Sequence, residues 1–298
     1  MKVVGWHECA AQLAAEEPVR CTKILEELVS ERLGRKWRRV LSVWEECSRD
    51  WNETLYRMTA YAMGAPRHKS QFELLARRVS YLMCLKERGS QSRVEALLLG
   101  ASGLMAGEYY DDYHLRLQAD YEYLCNKYGL VALKSKEWNL GSTRPAGSPV
   151  VRIVQMATLL AKPDYSIDAL LGLRGIEDVR RFFAIEPSDY WQKRLAADGN
   201  GAGVGRLGID KVYMLAINLV VPMQMAYAEV MNKNELRQRA IALLEEVPAE
   251  RNRLVGRWTG CGVKCSSGFD SQALIELSTM CDEGRCGVCP LGKLIKKA

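Results

Sequence analysis

Residues 22–47, TKILEELVSERLGRKWRRVLSVWEEC, decide the fold class of this chain. Apolar side chains recur there mostly at steps of three and four residues, with Lys, Arg and Glu between them. This spacing places the apolar side chains on one face of a helix, so the stretch predicts a long amphipathic α-helix. These apolar positions include Ile24, Leu25, Leu28, Leu33, Trp37, Leu41 and Trp44.

The same helical period continues along the chain, and no stretch alternates apolar and polar residues long enough to predict a strand. Ser70-Gln71-Phe72-Glu73 and Ser92-Arg93-Val94-Glu95 fit the capping-box pattern at the start of two helices. We therefore predict an all-α protein, a bundle of about ten or more helices. The further helices are predicted over 51–63, 71–87, 93–104, 111–127, 150–161, 166–183, 188–196, 209–231, 234–246, 249–258 and 270–281.

A break from Lys134 to Pro149 contains two Pro, two Gly and several Ser and Thr. It predicts a linker over 134–149 between an N-terminal helical half, 1–133, and a C-terminal half, 150–298. Within the second half, Pro222 is expected to kink the apolar helix, because proline lacks a backbone donor and clashes one turn back. The glycine-rich stretch 199–208 predicts a surface connection, since neither a preceding strand nor a Gly-Lys-Ser/Thr sequence marks a phosphate loop.

Composition excludes several classes of protein. The chain has 298 residues, of which 48% are apolar and 26% charged, as in ordinary globular domains. Val212–Ala228 lacks charge, but at seventeen residues it is shorter than the about 20 of a membrane span, and we predict a core helix. The N-terminus has no signal-peptide pattern. We expect a cytoplasmic protein with reduced thiols and no membrane association.

The positive charge is concentrated in two blocks. Residues 51–100 and residues 251–298 each carry 8 basic and 4 acidic side chains. Such blocks favour phosphate or an acidic partner, and nucleic acid is the partner that we predict. A solvated basic surface is the alternative. The chain has only three His and no nucleophile-elbow sequence, so few of its residues suit nucleophilic catalysis. We predict no catalytic residue.

The C-terminal cysteines carry the most specific pattern. Five of the ten Cys lie in the last 38 residues, as Cys261-x3-Cys265 and Cys281-x4-Cys286-x2-Cys289. Close spacing lets thiolates converge on one metal, and the glycine in Cys286-Gly287-Val288-Cys289 permits the close backbone approach of a knuckle. We predict a C-terminal Cys-rich knuckle in which Cys281, Cys286 and Cys289, with Cys265 or Cys261, hold zinc or an iron–sulfur cluster. Reduced cysteines used as small core residues are the alternative.

Several separated stretches share their order and spacing with a known family. They are Phe72–Ala76, Arg144-Pro145 with Arg152 and Gln155, Ser188–Trp191, Asn218 with Pro222, Pro248–Asn252, Asp270–Ile275, and the ending Cys281, Arg285-Cys286, Cys289 and Gly292. Together they resemble domain-of-unknown-function family 2851, a bacterial family. The stretch Arg285-Cys286-Gly287-Val288-Cys289 is also similar to the tail loop of endonuclease-III-like glycosylases, which carry a [4Fe–4S] cluster.

The resemblance to family 2851 implies that this chain corresponds to the helical C-terminal portion of a longer or split protein. It implies a nuclease-like N-terminal domain or subunit as a partner. The trio Cys281, Cys286 and Cys289 matches the family's ending, whereas Cys261 and Cys265 lie outside its pattern. Ala146-Gly147-Ser148 stands where the family has a bulkier segment. No catalytic residue follows from the resemblance.

Three functions are consistent with the sequence. The leading hypothesis is a non-catalytic, metal-stapled helical module that associates with nucleic acid and supports a nuclease-like partner. The second is a structural or protein-interaction module anchored by Trp and Tyr. The third is an enzyme with a polar pocket. Its candidate residues are Arg144, Arg152, Asp189, Tyr190, Glu250, Asn252, Asp270 and Gln272.

Overall fold

A computed structural model describes residues 5–105, 111–139, 147–195 and 206–295, with the backbone alone over 193–195. Over these residues helix follows helix, and the single β-type pairing is an isolated bridge between Pro248 and Ser267. The predicted all-α class is therefore confirmed. In chain order the α-helices are α1 (Trp6–Ala15), α2 (Pro18–Glu46), α3 (Trp51–Met63), α4 (Lys69–Arg78), α5 (Tyr81–Glu87), α6 (Gln91–Ser102), α7 (Asp112–Tyr128), α8 (Pro149–Ala161), α9 (Ile167–Leu171), α10 (Ile176–Phe182), α11 (Asp189–Leu195), α12 (Ile209–Leu215), α13 (Val221–Val230), α14 (Asn234–Glu246), α15 (Arg253–Thr259), α16 (Gly268–Asp282) and α17 (Pro290–Ile295).

Local signals explain several helix boundaries. The predicted helix over 51–63 is observed as α3, and the Asp50 carboxylate caps it by accepting the backbone amides of Asn52 and Glu53. The predicted helix over 71–87 is divided into α4 and α5, because the Ser80 hydroxyl accepts the amide of Met83 and starts a new helix. Periodicity alone does not reveal such a break, since the apolar pattern continues across it.

The two predicted capping boxes are wrong. Helix α4 begins at Lys69 after His68, and α6 begins at Gln91 after Ser90, so Ser70 and Ser92 lie inside helices rather than at their caps. A capping box does form at α16, where the Ser267 side chain and Asp270 satisfy each other's backbone amides.

The apolar stretch around Pro222 is interrupted. Helix α12 ends at Leu215, residues Ala216–Val220 form a π-helical turn, and α13 then carries Pro222 in its first turn. Proline removes the amide that would bond one turn back, and a widened turn accommodates its ring. No helix in the described part of the chain is long and apolar enough to cross a bilayer.

The chain forms two compact units. The first comprises the described residues of Met1–Arg39, Arg174–Ile176 and Ala216–Ala298, and the second those of Val40–Leu173 and Glu177–Leu215. Each unit is discontinuous in sequence, so the units differ from two contiguous halves. The division predicted at 134–149 stays a prediction.

Each unit has its own core. In the first, Trp258 is fully buried, and its indole N–H donates to the Ser278 hydroxyl at 2.6 Å. In the second, Tyr165 is buried and its hydroxyl lies 2.8 Å from that of Thr59, while Arg88 donates to the carbonyl of Leu160 at 3.0 Å. Each of these buried or half-buried polar groups has a partner, as a stable interior requires.

A buried lysine closes the end of α3. The Lys211 ammonium donates to the carbonyls of Ala62 at 2.8 Å and Met63 at 3.1 Å, which are in the last turn of that helix. A cation is favourable there, because the last carbonyls of a helix have no partners within it and carry partial negative charge. Burial lowers the pKa of Lys211 well below its usual range, and the charges of Arg152 and Lys69 lower it further.

We expect the substitution Lys211→Met to lower the free energy of unfolding by about 2 kcal/mol, because it leaves a buried carbonyl of α3 without its donor. Urea unfolding followed by circular dichroism measures the loss. Lys264→Met is the matched control, since Lys264 is exposed. Equal stability of the two variants would refute a capping role for Lys211.

Candidate functional site

The predicted polar residues are divided between the two units. Neither unit by itself gathers them into one pocket. Arg152, Asp189 and Tyr190 belong to the second unit, Glu250, Asn252, Asp270 and Gln272 belong to the first, and Arg144 lies outside the described residues.

In the first unit a charged network joins α2 to α16. Gln272 and Glu276, one turn apart on α16, are fully buried. The Gln272 side-chain oxygen accepts hydrogen bonds from Arg32 and Lys36, each at 2.6 Å. Glu276 accepts from Arg35 at 2.9 Å and pairs with Arg32 at 3.8 Å. Burial lowers the pKa of the Arg32 guanidinium, and the Glu276 charge opposes this effect.

Two of the predicted site residues, Asp270 and Asn252, cap the N-terminal ends of helices. One carboxylate oxygen of Asp270 accepts from the backbone amides of Ser266 at 2.9 Å and Ser267 at 3.1 Å. The Asn252 side chain caps α15 by accepting the amide of Val255 at 3.0 Å. These contacts account for both side chains as local structure, because capping satisfies amides that a helix start leaves unpaired.

An open groove of about 750 Å³ lies beside these caps. Arg251 and Arg253 line it and are exposed, and neither forms a hydrogen bond or ion pair with any part of the chain that the structure describes. Thr259 and Ser266 contribute hydroxyls, and Glu250, which accepts from the Gln272 amide, contributes a carboxylate. The groove therefore offers two unpaired guanidinium groups and neutral donors to a ligand from solvent.

Many other cations of the two basic blocks are already paired. Arg77 donates to Glu46 at 2.7 Å, and Arg257 donates to Asp282 at 2.8 Å. Arg285 donates to Glu31 at 2.7 Å. Each ion pair cancels much of the positive electrostatic field of its cation, so the field is weaker than a count of charges suggests. The unpaired Arg251 and Arg253 are therefore the side chains of the groove that attract an anion most strongly.

Residues 285–289, where a metal-binding knuckle is predicted, form a tight turn, but the knuckle itself stays a prediction and other glycines than the predicted one shape the turn. The Arg285 carbonyl accepts the amides of Val288 at 3.2 Å and Cys289 at 3.1 Å, which folds the chain into a tight turn. Gly284 has the left-handed φ of +67°. A Cβ at Gly292 would lie 2.4 Å from the Cys286 carbonyl oxygen, so that glycine provides the close approach. Gly287, which was predicted to do so, has open space around it.

The structure gives the predicted metal ligands different surroundings. Burial raises the pKa of the Cys265 thiol to about 11, and its charged neighbours are Asp270 and Glu250. The thiol of Cys9 on α1 and burial both raise the pKa of Cys281. In the described part of the chain, no three His, Cys, Asp or Glu side chains are placed as a group that holds a metal ion.

In the second unit, Arg152 and Tyr190 have separate partners. The Arg152 guanidinium donates to the Gln155 side-chain oxygen at 2.8 Å, and burial lowers its pKa. The Tyr190 hydroxyl donates to Asp111 at 2.8 Å, and its ring stacks on Tyr113 with centroids 4.1 Å apart. Asp189 is exposed in the first turn of α11.

Glu95 is a buried carboxylate that the sequence did not indicate. Its side chain accepts from the Tyr113 hydroxyl at 2.7 Å, the Trp191 indole at 2.6 Å and the Gln91 amide at 3.0 Å. Burial raises the pKa of Glu95, although these three donors oppose the shift. Its place in an apparent capping box pointed instead to a helix end. Gln91 lies one turn before it on α6, whereas only the packing of α7 and α11 brings Tyr113 and Trp191 to it.

These observations define an all-helical protein with a basic groove and a cysteine-containing turn in one unit, and with a buried carboxylate held by three hydrogen-bond donors in the other. The family described as Protein of unknown function (DUF2851) matches residues 1–253. The chain belongs to this family. The knuckle and α16 lie beyond the matched residues. No curated protein and no solved structure matches the chain.

Proposed function

We propose that this chain is a non-catalytic helical module that binds the phosphate backbone of nucleic acid, is stapled by a cysteine-held metal, and works with a nuclease-like domain or subunit. The groove with Arg251 and Arg253 is the observation that carries the proposal. Unpaired arginines suit phosphate because the planar guanidinium donates two parallel hydrogen bonds to its oxygens.

Local chemistry of the groove supports a backbone ligand rather than a base-specific one. Phosphate contacts come from Arg, hydroxyl and backbone donors, and they position a protein without reading sequence. Thr259 and Ser266 supply such hydroxyls beside the two arginines. The openness of the groove to solvent also fits an extended polyanion.

The nuclease-like partner is proposed from the family resemblance. The metal staple is proposed from the knuckle, whose thiols would have to turn toward a common point, because they are not placed as a ready metal-binding group. Metal binding that closes a site of this kind is coupled to folding, since the ligands converge only when the metal is present.

Aromatic side chains give the protein-interaction alternative little support. All seven Trp are buried or half-buried, and among the Tyr that the structure describes only Tyr123 is exposed. Interface anchors are large aromatic or Arg side chains that a partner can reach. The described surface therefore favours an electrostatic partner.

The test is salt-dependent binding of fluorescent DNA and RNA oligonucleotides. We expect affinity to fall as salt rises from about 50 to about 200 mM. The double variant Arg251→Gln/Arg253→Gln should bind more weakly and lower the slope of log affinity against log salt by about 2, one for each lost phosphate contact.

A second double variant, Arg180→Gln/Arg181→Gln, is the control. It changes the net charge equally, but its arginines already pair with Glu177 and Asp178. We expect it to retain the wild-type slope. Absence of salt-dependent binding by the wild type, or equal weakening by both double variants, would contradict a nucleic-acid role for the groove.

A further inference from the structure

An acidic side chain stands in the basic groove. Among the described residues that line it, Glu250 is the one carboxylate, and it is half-buried. The neighbouring Arg251 and Arg253 form no ion pair with the described part of the chain, so neither of them neutralises this carboxylate. A carboxylate in a groove for phosphate repels the ligand, because both groups are negative. The position of Glu250 is therefore unfavourable unless the ligand also brings a hydrogen-bond donor.

A buried amide fixes the orientation of this carboxylate. Arg32 and Lys36 both donate to the side-chain oxygen of Gln272, each at 2.6 Å. The Gln272 amide nitrogen is therefore directed elsewhere and donates to Oε2 of Glu250. The other carboxylate oxygen, Oε1, accepts no hydrogen bond from the part of the chain that the structure describes. Glu250 is thus held in place with one acceptor left for a ligand.

The chemistry of the ligand backbone decides what this oxygen can accept. The phosphates and deoxyriboses within a DNA backbone carry hydrogen-bond acceptors but no donor. The ribose of RNA adds the 2′-hydroxyl, which is both a donor and an acceptor. Carboxylates do bind this group, as the acidic residue of dinucleotide-binding folds binds the ribose 2′-hydroxyl of NAD. Beside RNA the Glu250 carboxylate gains a partner, whereas beside a DNA backbone it only repels.

We propose that the groove binds RNA in preference to DNA, and that Glu250 makes the distinction by accepting a hydrogen bond from a ribose 2′-hydroxyl. This preference rests on the proposed binding of a nucleic-acid backbone and specifies the sugar of that backbone. Arg251 and Arg253 bind the phosphates, and Gln272 holds the Glu250 carboxylate for the sugar.

The sugar suits Glu250 better than a base edge does. Base amino groups also donate to carboxylates, but their presence depends on the base. A 2′-hydroxyl occurs at every nucleotide of RNA and belongs to the same backbone as the phosphates that the arginines bind. Phosphate binding therefore brings such a hydroxyl to the groove in any sequence. We expect a preference for RNA that is independent of base sequence.

The experiment measures binding of fluorescent oligonucleotides of one sequence as RNA, as 2′-fluoro RNA and as DNA. Fluorine at the 2′ position keeps the sugar conformation of RNA but cannot donate a hydrogen bond. We expect the wild-type chain to bind RNA about tenfold more tightly than 2′-fluoro RNA, because a hydrogen bond to a charged group is lost. DNA should bind more weakly than RNA by at least the same factor. This comparison does not depend on the folding of a variant.

Two variants of the full chain locate the source of the preference. Glu250→Ala removes the acceptor and the repulsion together, so it should bind RNA and 2′-fluoro RNA equally and bind DNA more tightly than the wild type does. Misfolding does not produce such a gain in affinity. Glu235→Ala is the matched control, because Glu235 is an exposed acid on α14 outside the groove lining. We expect it to keep the wild-type preference.

The outcomes distinguish this preference from the proposed function. Equal binding of RNA and 2′-fluoro RNA by the wild type would overturn the role of the 2′-hydroxyl, while salt-dependent binding would still support a phosphate groove. A preference that Glu250→Ala retains would exclude Glu250 as its source. A preference between cytidine and uridine oligomers that Glu250→Ala abolishes, without an effect of fluorine, would assign the carboxylate to base edges instead. No binding of any form at low salt would refute the proposed function, and the preference for RNA with it.

Discussion

The substitution Glu276→Ala should lower the free energy of unfolding by about 3 kcal/mol, the largest loss that we expect from a single charged side chain in the first unit. Glu276 is fully buried between Arg32 and Arg35. Its removal leaves the Arg32 charge in a poorly solvated position without its ion-pair partner. The loss stays at the low end of the range for buried pairs, because the Arg35 side chain is 42% exposed and water can solvate it.

Two further variants distinguish the effect of removing a buried carboxylate from the effect of removing any acidic side chain. Glu276→Gln keeps the volume and an acceptor oxygen, so we expect an intermediate loss. Glu31→Ala is the matched control, because Glu31 also pairs with Arg35 but is 39% exposed, and we expect less than about 1 kcal/mol. Urea unfolding at pH 7 measures all three. Equal losses for Glu276→Ala and Glu31→Ala would show that the buried network does not hold α2 and α16 together.

The substitution Glu95→Ala should also cost about 3 kcal/mol, for a different reason. It leaves the Trp191 indole and the Tyr113 hydroxyl without their acceptor, and unsatisfied buried donors lose their full solvation. The substitution also removes the unfavourable burial of a negative charge, and this gain offsets a part of the lost unfolding free energy. Glu95→Gln retains an acceptor oxygen and should cost less than half as much at pH 7.

The dependence of the unfolding free energy on pH tests the contribution of Glu95 more directly. Because burial raises its pKa in the folded state, the native protein binds more protons than the unfolded chain between the two pKa values. The contribution of Glu95 to stability is thus full below the unfolded value, near about 4.3, and is lost as pH rises through the folded value. We expect Glu95→Gln to remove this decline from the curve of unfolding free energy against pH.

Glu87→Gln is the control for that profile, since Glu87 is another buried carboxylate of the second unit. Burial opposes its ionisation, but hydrogen bonds from Lys127 and Tyr128 outweigh it and hold its pKa below the usual range. The contribution of Glu87 to stability therefore changes with pH in the opposite direction and is lost as pH falls. A wild-type decline that persists in Glu95→Gln would exclude Glu95 as its source.

Local sequence determined most of the secondary structure. The helix over 51–63 follows from its apolar period together with the Asp50 cap, and the disturbance at Pro222 follows from a missing amide. These features depend on residues within one or two turns of each other, so the sequence contains all the information that they require. Ser92 and Glu95 show the limit of such patterns, because the same spacing occurs inside α6 with the glutamate turned into the core.

The sequence by itself therefore determined an all-helical protein of this family with a cysteine turn at its end, because periodicity, turn residues and motif spacing are local properties. Only the tertiary structure decided which partners meet. It placed Glu276 between two arginines about 240 positions away, Tyr113 and Trp191 around Glu95, and α1 against α17, which is far along the chain. The reason is physical: such contacts arise from helix packing, and spacing in sequence carries no information about which helix faces will meet.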